Sequence, residues 1–192
     1  MSKDKYRKPM RFENHPLYKK ASYISELSFQ IADVVKKEAV DQTDEYYRAT
    51  WENLAQFIRE DAMMMTAKVA GGVGADLYDI LMENAAIIRK CAKDIQLHLT
   101  GLEIHEYKDL EYLDLLRDEI EEFRILFAEW VKTFDPWNYY IDRWGLFNPP
   151  GVNYDDPDPD DNLPMNTLFD EIDGFDEIDP DDWDELDDDD EV

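Results

Sequence analysis

Residues 63–90, MMMTAKVAGGVGADLYDILMENAAIIRK, join two apolar repeats of helical period across a glycine-rich break, and this junction constrains the fold more than any other stretch. Upstream, Trp51, Leu54, Ala55, Ile58, Ala62, Met65 and Val69 recur at three- and four-residue intervals. Downstream, Leu77, Leu81, Ala85, Ile88, Ala92 and Ile95 do the same. Between them, Ala70-Gly71-Gly72-Val73-Gly74 supplies glycines free to take positive φ, so the first helix is expected to end near Ala70. Asp76 is the expected N-cap of the next helix, with Asp79 at its positive end. Gly71, Gly72, Gly74 and Asp76 thus form a helix hinge, and the two helices fold back on each other.

The same periodicity extends in both directions. Leu17, Ala21, Ile24, Leu27, Ile31 and Val34/Val35 mark a helix from Pro16 to about Glu38. Asp41-Gln42-Thr43-Asp44 is a polar connector in which Thr43 or Asp44 caps a helix over about 45–70. The third helix is expected over about 76–99, with Gly101 at its C′ position. Leu110, Leu113, Leu116, Ile120, Phe123, Phe127, Trp130 and Phe134 mark a fourth over about 107–134, which Asp135-Pro136 stops. No stretch alternates with the period of a strand. The expected fold is all-α: an antiparallel up-down-up-down four-helix bundle over residues 15–134.

Charge divides the chain. The total is −27, yet residues 152–192 hold 20 Asp and Glu and no Lys or Arg, while residues 1–151 hold 27 acidic and 20 basic groups. The first part is an ordinary, mildly acidic domain and the second a polyanion. Such a charge opposes contact with nucleic acid or anionic membranes and favours basic partners. Residues 1–14 form a basic arm carrying Lys3, Lys5, Arg7, Lys8 and Arg11, read either as a solvated arm or as a docking strip for acid. The single cysteine, Cys91, sits among apolar neighbours and fits a reducing compartment. With no apolar run behind the arm and none near the ~20 residues of a membrane span, a soluble cytoplasmic protein is expected.

Residues 135–151, DPWNYYIDRWGLFNPPG, crowd Trp137, Tyr139, Tyr140, Trp144 and Phe147 into one short segment. It reads as a strap across the open end of the bundle or as an aromatic contact surface for another subunit or partner. Beyond residue 152 the chain turns acidic and repeats itself, as Phe169-Asp170-Glu171-Ile172-Asp173 and Phe175-Asp176-Glu177-Ile178-Asp179, then Trp183 and Leu186. This alternation predicts a disordered interaction tail over 152–192 whose partner-binding residues are Phe169, Ile172, Phe175, Ile178, Trp183 and Leu186.

No catalytic, cofactor-binding or metal-binding constellation emerges. The glycine corner lacks the Gly-Lys-Ser/Thr ending of a phosphate loop and follows no strand. Di-iron bundles need Glu-x-x-His pairs, but Phe12, Ile95 and Leu102 precede His15, His98 and His105 by three residues. Asp94 and His98 share a helix face as a surface pair, two ligands being too few for a firm metal site. Glu119, Glu121 and Glu122 read as a solvated face.

Ala67-Lys68-Val69-Ala70-Gly71-Gly72, followed by a helix with Leu81, Asn84, Ala85 and Ile88, resembles the four-helix-bundle family of 23S rRNA intervening-sequence proteins. That family includes the accessory protein of diversity-generating retroelements. Its second helix ends in Asn-Ile-Ala-Glu-Gly, where this chain reads Lys68-Val69-Ala70-Gly71-Gly72. Met82-Glu83-Asn84-Ala85 and residues 144–151 resemble a Bacteroidetes-type branch. The resemblance implies a ring-like homo-oligomer, commonly a pentamer, while the acidity of this chain argues against the nucleic-acid binding of several members. The expected role is a non-enzymatic oligomeric scaffold or adaptor presenting its tail to a basic protein partner. The alternatives are a nucleic-acid mimic that regulates a DNA- or RNA-binding protein and a metal-carboxylate bundle enzyme.

Overall fold

The computed structural model describes residues 11–157. The chain divides into two units, residues 1–154 and 155–192, and of the second only residues 155–157 are described. The tail residues from Phe169 to Leu186 named above, and residues 1–10 of the arm, lie outside the described residues. The first unit has a 3-10 turn, Arg11–Asn14, and four helices: α1 Pro16–Ala39, α2 Glu45–Gly74, α3 Tyr78–Ile104 and α4 Leu110–Val131. There is no strand among the described residues, and none of their helices is long and apolar enough to cross a membrane.

The helices form the antiparallel up-down-up-down bundle that the periodicity predicts. Helix α2 packs along both α1 and α3, and α4 lies against the other side of α1. Each helix buries one stripe: Leu17, Ile24 and Val35 from α1; Ile58, Met65 and Val69 from α2; Ile88, Ile95 and Leu99 from α3; Leu113, Leu116 and Phe123 from α4. Caps define two of the starts. Pro16 opens α1, with His15 Nδ1 accepting from the Leu17 N–H at 3.2 Å. Asp44 Oδ1 accepts from the N–H groups of Tyr46 (2.8 Å) and Tyr47 (3.3 Å) at the start of α2.

Several helix ends differ from those the sequence suggests, each because packing overrides local preference. Helix α2 runs through Gly71 and Gly72 to Gly74, all three without positive φ. Gly72 is there for room: a Cβ on it would lie 2.8 Å from the ring of Trp130. The N-cap of α3 is Leu77, with no side-chain cap, and Asp76 does not cap it. At its other end α3 passes through Gly101, whose open side faces Leu54, and continues to Ile104. The left-handed residue is Glu106 (φ 62°). Around it the Tyr107 N–H donates to the Leu102 carbonyl and the Glu106 N–H to the Glu103 carbonyl, both at 3.0 Å, a complete Schellman motif. Tyr107 and Leu102 are both buried, supplying the apolar contact that accompanies it. Tyr107 therefore precedes α4 instead of opening it.

Candidate functional site

The segment after α4 is held by backbone hydrogen bonds more than by burial. Its first anchor is the start of α3. The Tyr78 N–H donates to the Asn138 carbonyl (2.7 Å), Asn138 Nδ2 donates to the Asp76 carbonyl (3.0 Å), and the Tyr140 N–H reaches Asp79 Oδ1 (3.4 Å). Asn138 thereby satisfies one of the amides left free at a helix N-terminus. The expected cap is thus supplied from 60 residues away.

The second anchor is Asp142. Its Oδ1 accepts from the Trp144 N–H (2.8 Å), and its Oδ2 from the N–H groups of Leu146 (2.8 Å) and Phe147 (2.9 Å). Asn148 closes the loop, accepting from the Asp142 N–H (2.7 Å) and donating to the Asp142 carbonyl (2.9 Å). Gly145 (φ 73°) makes the turn between them. Bonds from the Phe147, Trp144 and Leu146 amides hold the Asp142 carboxyl below the ordinary aspartate range, because each donor favours the charged form.

This scaffold directs its large rings outward. Trp137 is 87% exposed and Trp144 is 90% exposed, with Tyr140 and Leu146 also exposed. Tyr139 and Phe147 are half-buried. Of the five aromatics expected to act as a strap or an interface, the structure places three in solvent and none in the core. The segment is tied to the start of α3, with both of its tryptophans exposed. Beside Trp144 and Phe147 lies a depression of about 450 Å³, to which α3 contributes the carboxylates of Asp79 and Glu83 and the strap that of Asp142 and the guanidinium of Arg143, leaving three carboxylates against one cation. Exposed indole faces beside carboxylates suit a cationic, partly apolar surface. Asp79, Glu83, Asp142 and Asn148 are not among the site residues that the sequence suggests. The usable signal was Asp142-x-x-Gly145-x-x-Asn148, Asx-turn residues bracketing a glycine.

Elsewhere the polar residues pair differently than expected. His98 does not meet Asp94: its Nε2 lies 3.2 Å from Asp61 Oδ2 on α2, while Asp94 pairs with Lys90. Burial pushes the Asp61 carboxyl above its ordinary value against the opposing pull of His98. Burial also pushes the Cys91 thiol up to about 11, aided by Asp61 and Asp94, so it is a poor nucleophile. Glu119 and Glu122 clamp Lys20 across the α1–α4 seam; Glu119 is largely covered there, a correction to the solvated face expected for it, while Glu121 and Glu122 are exposed as expected. Burial pulls the Lys20 ammonium down, but the two carboxylates outweigh it and raise it above the ordinary lysine value. Among the described residues no three His, Cys, Asp or Glu side chains are placed to hold a metal ion. Comparison of the chain with protein-family models, curated proteins and solved structures returns no match.

Proposed function

We propose that this protein is a non-enzymatic adaptor that self-associates and presents acidic, aromatic surfaces to a basic protein partner. The observation that carries this reading is the strap, where Trp137 and Trp144 are fully displayed on a loop that Asp142 and Asn138 keep ordered. Exposed tryptophan costs solvation free energy, and a loop that holds it rigid has lowered the entropy lost on docking. The tail repeats the theme at 165–191, where Phe169/Ile172 and Phe175/Ile178 stand among carboxylates. Carboxylates draw a cationic surface in, and the apolar pairs give it selectivity. The resemblance to the intervening-sequence proteins supports a homo-oligomer, commonly a pentamer in that family, and the lone Cys91 fits the reducing cytoplasm.

The rival is mimicry of nucleic acid by charge alone. A labelled peptide of lysine and leucine, titrated into the full chain, separates the two. Replacing Phe169, Ile172, Phe175, Ile178 and Trp183 by Ser preserves charge and is expected to weaken binding by about tenfold or more, each ~1.4 kcal/mol being one decade. Equal binding by that variant makes charge mimicry the better account. A metal-carboxylate enzyme is the third reading, and stoichiometric iron, manganese or zinc in the purified protein would establish it over the adaptor.

A further inference from the structure

Helix α4 meets its neighbours unequally. It lies along α1 but approaches α3 only sparsely, and between α3 and α4 a groove of about 540 Å³ remains open. The floor is apolar: Phe123 is buried at its base, with Phe127 and Val131 half-buried beside it. The rim is cationic. Arg89 and Lys93 stand one turn apart on α3, and Arg124 faces them from α4. The acid in the lining, Glu121, is bonded to Arg124 Nε at 2.7 Å. Among the described residues neither Arg89 nor Lys93 has an acidic partner. Like charges four apart on a helix repel. Here two such cations overhang an apolar channel in a chain of net charge −27.

We infer that this groove docks residues 165–191 of a second copy of the chain. The inference rests on the tail-presenting role proposed above and names a surface that receives the tail. The complementarity is twofold. Phe169/Ile172, Phe175/Ile178 and Trp183/Leu186 are apolar pairs at a spacing of three, the spacing of one helical turn, which suits a segment laid into an apolar groove. Around every pair stand aspartates and glutamates without a lysine or arginine, matching the free cations of the rim. Delivery between copies makes each chain a donor and an acceptor. Such head-to-tail contacts close into rings when the rotation permits.

The test uses three full-length proteins followed by sedimentation velocity at rising concentration. The parent should exceed the 22.7 kDa of one chain and return to it in high salt. R89E/K93E, which alters exposed positions on α3, and the F169S/I172S/F175S/I178S variant should each remain single chains with unchanged helical circular dichroism. Mixed in equal amounts, they should form a 1:1 pair, since one keeps a tail and the other keeps a groove. A parent that stays a single chain overturns the inference, as does an R89E/K93E protein that assembles like the parent. A mixture that stays dissociated overturns delivery from a second copy, because an intact tail and an intact groove are then present and do not join. The lysine–leucine peptide titration on R89E/K93E keeps the two proposals apart. Retained peptide binding with unaltered assembly removes the groove and leaves the adaptor standing. If the tail serine variant also binds that peptide as well as the parent, the presenting role fails too.

Discussion

The bundle and the strap are ordered by opposite means. In the bundle, Leu17, Ile58, Ile88 and Leu116 are sealed in a common interior, and the backbone bonds of each helix are local. In the strap the backbone is fixed by a few long-range or bidentate bonds from Asn138, Asp142 and Asn148, while Trp137 and Trp144 stay in water. Order obtained by burial serves stability. Order obtained with the apolar groups left outside adds little to stability, and in the strap it is the hydrogen bonds of Asn138, Asp142 and Asn148 that fix the backbone.

The comparison breaks most visibly in the interior. Leu116→Ala removes a fully buried side chain from α4 and is expected to cost about 2–5 kcal/mol in denaturant unfolding. Trp144→Ala removes a larger but exposed ring and should change global stability by less than about 0.5 kcal/mol. If the two losses were equal, the strap would be part of the core. Gly72→Ala should come next, costing about 1–3 kcal/mol, because its Cβ would enter the Trp130 ring, itself wedged between Phe127 and Phe134. Gly74→Ala is the control, with nothing within 4 Å of its Cβ, and should be neutral or gain up to ~0.5 kcal/mol.

His98→Ala should cost about 1–2 kcal/mol at neutral pH by leaving the half-buried Asp61 without its partner. The pH dependence has a definite sign. Asp61 has a folded-state pKa above the ordinary value, so its contribution is fully present below the unfolded pKa of ~3.9 and is lost as pH rises through the folded value. Protonated Asp61 needs the imidazole less, so the deficit of the variant measured by unfolding should be smallest below that ordinary carboxylate value of ~3.9.

The smallest global effect is expected from Asp142. Asp142→Ala should leave the unfolding midpoint in place yet shift the amide resonances of Trp144, Leu146 and Phe147, whose N–H groups it accepts. Here the folded pKa is depressed, so the stabilisation is present above the ordinary aspartate value of ~3.9 and fades as pH falls below it. The same resonances in the parent should therefore move on acidification, ahead of any loss of helix.

Four helices and their buried stripes were legible because burial repeats every three or four residues whatever the partner helix is. Gly72 and Gly101 misled because a glycine reads locally as a terminus, whereas here the space beside it was occupied by Trp130 and Leu54 from other elements. The true left-handed residue, Glu106, carries no such signal. The aromatic surplus of 135–151 was equally plain, but not the outward direction of its rings, which depends on how Asp142 folds the backbone beneath them. The α3–α4 groove was illegible for a further reason: periodicity says that a helix has a buried face, not which of its two seams stays open.

The unequal seams also bear on how the chain reaches its fold. Helices α1, α2 and α3 each pack against their sequence neighbour, contacts that close through short turns. The chief seam of α4 instead joins residues such as Lys20 and Glu119, 99 positions apart. Loop-closure entropy rises only slowly with length, but it is spent before any contact rewards it. That order of costs predicts that α4 docks onto α1 after α1, α2 and α3 have paired, which refolding kinetics of seam variants would check. Substitutions in the α1–α2 seam should slow refolding, and those in the α1–α4 seam should chiefly hasten unfolding. Amide exchange along α4 faster than along α2 would mark the fourth helix, which bears one wall of the groove, as the first to open.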